Sequence, residues 1–285
     1  MVQVEPVPSE PAALATVDDE RTLLVADYHA GVEAALRYER GVQVPSQAES
    51  RRDRLLALLE RTDADRLAIL GDLMHSIGDP GGAERGELEV LFESLPPVAV
   101  TLVKGNHDGA IESWLADAIE DADSPRPGGP DGPTDLEVVP GAGTRLGDLG
   151  VCHGHSWPAT EALEAETLCM GHEHPCVRLE DEVGGSRIEP VWVRGALRRS
   201  WARGRAAESA DEGTTSTGDD DRSGGDDGDR LNGELVVLPA FNELVGGTWI
   251  NVADQSFLSP MLPDGLDAGE AYLLDGTRLG PYESV

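Results

Sequence analysis

The chain has 285 residues, and its 54 acidic against 22 basic side chains give a formal net charge of −32 with His neutral. At 39% hydrophobic and 27% charged residues it is long enough to bury a core, and no apolar run approaches the roughly 18 residues that span a bilayer, which excludes fibrous and membrane-embedded classes. Three cysteines cannot build a disulfide framework, and Met1 to Glu20 shows neither a basic n-region nor an apolar h-region, so a reducing, cytoplasmic location is expected.

Apolar runs that end in polar clusters alternate with helical stretches through the first two thirds of the chain, which is α/β punctuation. Residues 22–26 predict a buried strand that stops at Asp27-Tyr28-His29. A helix from about Gly31 follows, and then a second one opened by Ser46 and Glu49, whose S-x-x-E spacing is that of a capping box ahead of Leu55, Leu56, Leu58 and Leu59. The strand at 66–70 stops at Gly71-Asp72. A Glu-rich helix near 84–95 leads to a strand at 98–103, which stops at Gly105-Asn106-His107-Asp108. Residues 150–152 stop at His153-Gly154-His155, and residues 167–170 stop at Gly171-His172-Glu173-His174. Two segments interrupt the pattern. Asp121 to Asp135, rich in Pro, Gly and Asp, reads as an exposed connection, and Arg205 to Arg230, with almost no apolar content, reads as a disordered acidic insertion. Strands are expected at 187–193, 234–238, 247–252 and 271–274, so residues 1–285 are read as a single domain with a β-rich last third.

The chemistry-bearing residues gather at the strand ends. In an open α/β sheet the loops at the carboxyl ends of strands converge on a crevice, and all seven histidines lie within a few residues of such an end. Imidazoles, carboxylates and one amide oxygen suit borderline divalent ions such as Mn²⁺, Fe²⁺, Zn²⁺ or Co²⁺ better than Ca²⁺, and there are too many donors for one tetrahedral zinc. Taken singly, Asp27 or Asp72 after a strand is an ordinary turn or N-cap residue, and Gly105-Asn106 is an ordinary turn signal. His155 reads equally well as a phosphate contact or as a partner of a loop carbonyl, His75 as a helix-start residue beside the cleft, and Tyr28 and Glu33 as packing and surface residues. A rival structural zinc on Cys152, Cys176 and their histidine neighbours is opposed by side-chain alternation, which points Cys152 and His153 to opposite faces of a strand.

Taken together and in this order, Asp27-x-His29, Gly71-Asp72, Gly105-Asn-His-Asp108, His153-Gly-His155 and Gly171-His-x-His174 resemble the five motifs of calcineurin-like metallophosphoesterases, over roughly residues 21–176. Residues 239–247 are similar to the branch that includes archaeal phosphoesterases related to a double-strand-break repair nuclease and the bacterial DNA-ligase-associated phosphoesterases. The resemblance implies an α/β fold of two packed mixed β-sheets flanked by helices, an α/β/β/α sandwich. It implies two divalent metal ions, Mn²⁺ first with Fe, Zn, Co or Ni as alternatives. One would be held by Asp27, His29 and His174, the other by Asn106, His153 and His172, with Asp72 bridging. Such a pair lowers the pKa of a bound water, so that hydroxide attacks phosphorus in line. His107 would act on the developing charge or the leaving oxygen, with Asp108 fixing its orientation.

The expected function is hydrolysis of phosphodiester or phosphomonoester bonds in small or nucleotide-like substrates. The alternatives are a nuclease or DNA-end-processing phosphodiesterase, with nucleic acid as substrate and a DNA-repair protein as partner, and a metal-binding interaction protein without turnover. The charge disfavours nucleic acid in ordinary salt, since no basic cluster tracks a phosphate backbone. Lys104 is the single lysine, and this acidic, Arg-biased balance resembles that of extreme halophiles, in which concentrated salt screens self-repulsion.

Overall fold

The computed structural model describes residues 2–120, 132–181, 183–211, 233–252 and 255–285. The first half of the chain contains β1 (Val4–Pro6), β2 (Ala12–Val17), β3 (Glu20–Val25), α1 (Val32–Arg40), α2 (Ala48–Thr62), β4 (Arg66–Leu70), α3 (Gly82–Ser94), β5 (Ala99–Val103), α4 (Ile111–Glu120) and β6 (Asp135–Val139). The strands form a sheet in the order β1-β2-β3-β4-β5-β6, antiparallel as far as β3 and parallel from there on. β4 and β5 are apolar runs with four of five residues buried, as a strand covered on both faces requires. α2 buries Leu55, Leu58, Leu59 and Thr62, the spacing of one helical face, onto one side of this sheet.

The second half contains β7 (Thr144–Leu146), β8 (Leu149–Cys152), α5 (Thr160–Leu163), β9 (Thr167–Met170), β10 (Cys176–Glu180), β11 (Ser186–Leu197), α6 (Arg199–Asp211), β12 (Glu234–Val237), β13 (Leu266–Leu273) and β14 (Arg278–Pro281). Its sheet runs β14-β13-β11-β12-β9-β8-β7, with β10 paired to β11, and only β12-β9 and β9-β8 are parallel. The two mixed sheets pack face to face. Leu24, Ala68, Leu70 and Val103 of the first meet Val151, Cys169, Trp192 and Val236 of the second in one buried cluster. Helices α2 and α3 cover the outer face of the first sheet, and α5 and α6 that of the second. The expected α/β/β/α sandwich is the architecture observed.

The registers align the strand ends. Val25 pairs with Ile69 and Leu70 with Val103 in one sheet, and Cys152 pairs with Met170 and Met170 with Val237 in the other. The loops that follow these strands therefore leave the sandwich at one edge.

Several local expectations change. The N-terminal segment contributes β1 and β2, an antiparallel pair that the Pro/Ala-rich sequence did not signal. Ser46 does not close a capping box: its Oγ accepts from Ala48 N at 3.3 Å, and the helix begins after Gln47 without a side-chain cap. Residues 247–252 make one isolated bridge, Trp249 to Cys176, rather than a strand. Residues 205–211 of the expected acidic insertion are the end of α6, and 212–230 lie outside the described residues, as do 121–131 of the expected connection, whose last residue, Asp135, starts β6.

Candidate metal centre

The loop after β3 carries Asp27 and His29, the loop after β4 carries Asp72, the loop after β5 carries Asn106 to Asp108, the loop after β8 carries His153 and the loop after β9 carries His172 and His174. Five of these residues occupy the left-handed region of φ: Asp27 at 57°, His29 at 48°, Asp72 at 49°, His172 at 68° and His174 at 45°. For a residue with a Cβ this costs about 1 kcal/mol or more, and it persists only where the surroundings over-determine it. Here the loops fix one another. Asp27 N donates to Gly71 O at 3.1 Å, His29 N to Asp72 O at 2.8 Å and Ala30 N to Leu73 O at 2.9 Å. His107 N donates to Asp72 Oδ1 at 2.9 Å. Gly105 allows that approach, because a Cβ there would overlap the Asp72 carboxylate.

The side chains fall into two connected groups. In the first, His174 Nδ1 faces Gly246 O at 2.7 Å and must donate to it, which leaves Nε2 3.2 Å from Asp27 Oδ1. His29 completes this group with a buried Nε2 that has no hydrogen-bond partner and lies 3.6 Å from Asp72 Oδ2. In the second, His153 Nδ1 donates to Leu70 O at 2.9 Å, so Nε2 turns to Asn106 Oδ1 at 3.1 Å and Asp72 Oδ1 at 3.5 Å. His172 joins through ring packing on His153, with centroids 4.8 Å apart. The potential donor atoms of Asp27, His29 and His174, and those of Asp72, His153 and His172, lie within 4.8 Å of one another in each group.

Lone pairs thus face lone pairs, an arrangement that requires a cation or a proton between them. Without a metal, protons serve. Burial opposes a charge on His174, but the Asp27 carboxylate outweighs it and lifts the imidazole to about 9. His153 is likewise raised against its burial by Asp72 and Asp27. Burial resists ionisation of Asp27 and Asp72, and their histidine partners still hold both below the usual carboxylate range. Burial lowers His29 to about 3 and His172 to about 4, so these rings stay neutral with lone pairs available. A set of imidazole, carboxylate and amide oxygen donors fits borderline divalent ions.

The remaining residues depart from expectation in particular ways. The buried Asp108 carboxylate is hydrogen-bonded not to the His107 ring but to the backbone of Met74 at 2.8 Å, Gly105 at 2.8 Å and Leu73 at 3.3 Å, from which it accepts, pinning two of the loops together. The His107 ring is held instead by a short hydrogen bond from Nδ1 to the His75 carbonyl. His75 lies in a loop rather than at a helix start, with Nδ1 3.3 Å from His29 Nδ1, so it belongs to the cluster. His155 is exposed at the rim, its ring 6.0 Å from that of His172. Tyr28 is fully buried, and Glu33, expected on the surface, is buried in an ion pair with Arg51 at 3.1 Å. No cysteine enters a metal-capable group among the described residues. Three residues given no role by the motifs also stand beside the site: Gly246 through its carbonyl, Asn242 against the Asp27–His29 backbone, and Glu173, between His172 and His174, whose carboxylate accepts from Leu258 and Ser259. Only the unusual 239–247 segment pointed toward the first two.

The family model of calcineurin-like phosphoesterases matches residues 20–176. No curated protein matches the chain. Among solved structures, the crystal structure of Pseudomonas putida nuclease MPE aligns with a TM-score of 0.51 at 21% sequence identity, covering 97% of this chain and 100% of that one.

Proposed function

Because the chain belongs to the calcineurin-like phosphoesterases, and is thereby a hydrolase of phosphoesters, we propose that its centre works with two divalent cations, one on Asp27, His29 and His174 and the other on Asn106, His153 and His172, with Asp72 shared. The observation that carries this reading is the buried convergence of imidazole and carboxylate atoms in two groups, above all His29 Nε2, which has no hydrogen-bond partner. Bound there, such a pair supplies Lewis acidity toward a phosphoryl oxygen and an activated water at neutral pH. Mn²⁺ is the first choice, with Fe, Zn, Co or Ni as alternatives.

The protein's own contribution is placement and proton control. Asp72 keeps one oxygen toward His153 and the other toward His29, so a single buried carboxylate ties the two halves. His107 donates from Nδ1 to the His75 carbonyl, and its partly exposed Nε2, 3.9 Å from Asp72 Oδ2, is the atom that gives a proton to a leaving oxygen. Asp108 supports this ring indirectly, by fixing the loops from which both His107 and the His75 carbonyl project. The substrates are phosphodiesters or phosphomonoesters of small or nucleotide-like molecules. A charge of −32 suits work in a salt-rich cytoplasm, where at about 1 M salt the Debye length is about 3 Å. No helix among the described residues is long and apolar enough to cross a membrane.

A second reading, nucleic-acid end processing alongside a repair protein, is favoured by the likeness to a nuclease that this chain covers along its whole length. The discriminating experiment is Mn²⁺-dependent hydrolysis of bis(p-nitrophenyl) phosphate and of linear DNA in concentrated KCl. Diester turnover that disappears with EDTA, in Asp72→Asn and in His107→Ala supports the centre, and DNA cleavage under the same conditions selects the second reading. Turnover that persists in EDTA contradicts both.

A further inference from the structure

The strained loop at residues 27–31 needs a device that holds it, and the source lies more than 200 residues along the chain. Its three consecutive carbonyls, those of Asp27, Tyr28 and His29, all accept from Asn242. Asn242 N donates to Asp27 O at 3.2 Å, and the side-chain Nδ2 donates to Tyr28 O at 2.9 Å and to His29 O at 3.2 Å. The amide oxygen is also satisfied, by Leu244 N at 3.0 Å. Phe241 N adds a bond to Ala26 O at 2.8 Å, and the Phe241 ring stacks on Tyr28 with centroids 5.9 Å apart. Asn242 is 2% exposed, so none of these bonds competes with bulk water.

The geometry dictates the residue type. Two carbonyls side by side require two N–H donors on one short planar group, and Asn supplies both while its oxygen takes a third bond. Aspartate has the same shape but would set an acceptor against two acceptors. The carbonyls of Asp27 and His29, at φ of 57° and 48°, bond Asn242 while their side chains belong to the first metal-capable group. Four residues on, Gly246 O orients His174. Residues 241–246 therefore back the three protein donors of the first group directly, and reach the second only through Asp27, whose carboxylate accepts from His172 N at 3.0 Å.

We propose that Asn242 is the positioning residue of the Asp27–His29–His174 half, selectively setting the cation affinity of that half. The proposal rests on the two-cation reading, so the test has one readout that depends on metal and one that does not. Metal-free full-length protein is titrated with Mn²⁺ while free Mn²⁺ is followed by electron paramagnetic resonance, for wild type, Asn242→Ala, Asn242→Asp and Asn242→Ser. Asn251→Ala is the control, since Asn251 makes a similar set of backbone bonds, to Arg178 and Val285, away from the centre. Loss of an outer partner typically costs about 10- to 100-fold in metal affinity, so one of two Mn²⁺ sites should weaken at least tenfold in Asn242→Ala and no less in Asn242→Asp. Asn242→Ser, which keeps one donor, should fall between, and Asn251→Ala should bind as wild type. Amide hydrogen exchange of residues 27–31 in the metal-free protein should accelerate at least tenfold in the Asn242 variants only. Wild-type affinity at both sites, or equal weakening of both sites in the Asn242 and Asn251 variants, overturns the proposal. Fewer than two Mn²⁺ in wild type overturns the two-cation reading instead, and unchanged exchange at 27–31 would then overturn the clamp on its own.

Discussion

The two halves of the centre are built by different means. The Asp72–Asn106–His153–His172 half hangs on strand ends that sit side by side in the sheets, and its His153 ring is oriented by the carbonyl of Leu70, the last residue of a strand. The Asp27–His29–His174 half depends on left-handed backbone at all three residues and on a segment after β12 that reaches back across the edge of the sandwich. Strand ends and short loop-to-loop bonds, those of Asp108 and of His172 N to the Asp27 carboxylate among them, therefore fix one half, whereas the other also draws on a long-range clamp. The difference locates where substitution should separate one half from the other, and where it should not.

The largest effect is expected where the halves meet. Asp72→Asn removes the shared charge while keeping the shape, and turnover should fall by about 10³-fold or more; steady-state kinetics with added Mn²⁺ checks this, and retention of more than a tenth of the activity would show that the halves work separately. Next is the loop junction. Asp108→Ala leaves the amides of Leu73, Met74 and Gly105 without their buried acceptor, at about 1–3 kcal/mol for each group left unsatisfied. Denaturant unfolding should show a total loss of about 3 kcal/mol or more, and both halves should lose cation affinity together, unlike the outcome at Asn242.

A comparable or smaller effect is expected from Gly105→Ala, whose added methyl meets both the carboxylate and the backbone nitrogen of Asp72. Overpacking of this kind costs about 1–3 kcal/mol, and here it should displace Asp72, so that turnover drops while thermal unfolding shifts by only a few degrees. The smallest is a pH effect on the metal-free protein. His174, raised to about 9, contributes stability that is complete below its unfolded value near 6.5 and disappears as pH rises through about 9. His29 and His172, lowered to about 3 and about 4, are held neutral in the fold, and stability declines as pH falls below about 6.5. Melting temperature in EDTA should therefore peak near neutrality and fall on both sides, and His174→Asn should make the alkaline fall shallower, leaving the share of His153, without changing the acid side.

What could be read from the sequence follows the same division. The clusters from Asp27 to His174 were legible because each sits where an apolar run stops, and a parallel sheet brings such stops to one edge. The buried strands β4, β5, β8 and β9 were legible for the same reason. Asn242 was not, because one asparagine in an irregular segment carries no periodicity, and its meaning depends on a contact with residues 213 and 214 positions away. Glu33 looked like a surface residue on an amphipathic helix, since nothing local announces that Arg51 will bury it. Asp108 stands beside His107 in the motif but points its carboxylate at loop amides, a direction that spacing does not encode. Residues 247–252 had the composition of a strand but formed a single bridge, because β propensity needs a partner edge to become a ladder.

On the proposed reading, two cations sit on two differently supported halves and share Asp72. Elemental analysis of protein purified in concentrated KCl, with hydrolysis of a panel of phosphomonoesters and phosphodiesters in added Mn²⁺, tests it most directly. About two metals per chain and Mn²⁺-stimulated turnover are expected, in line with the two-metal centres of other phosphoester hydrolases. A single tightly held zinc with no turnover on any ester would contradict it.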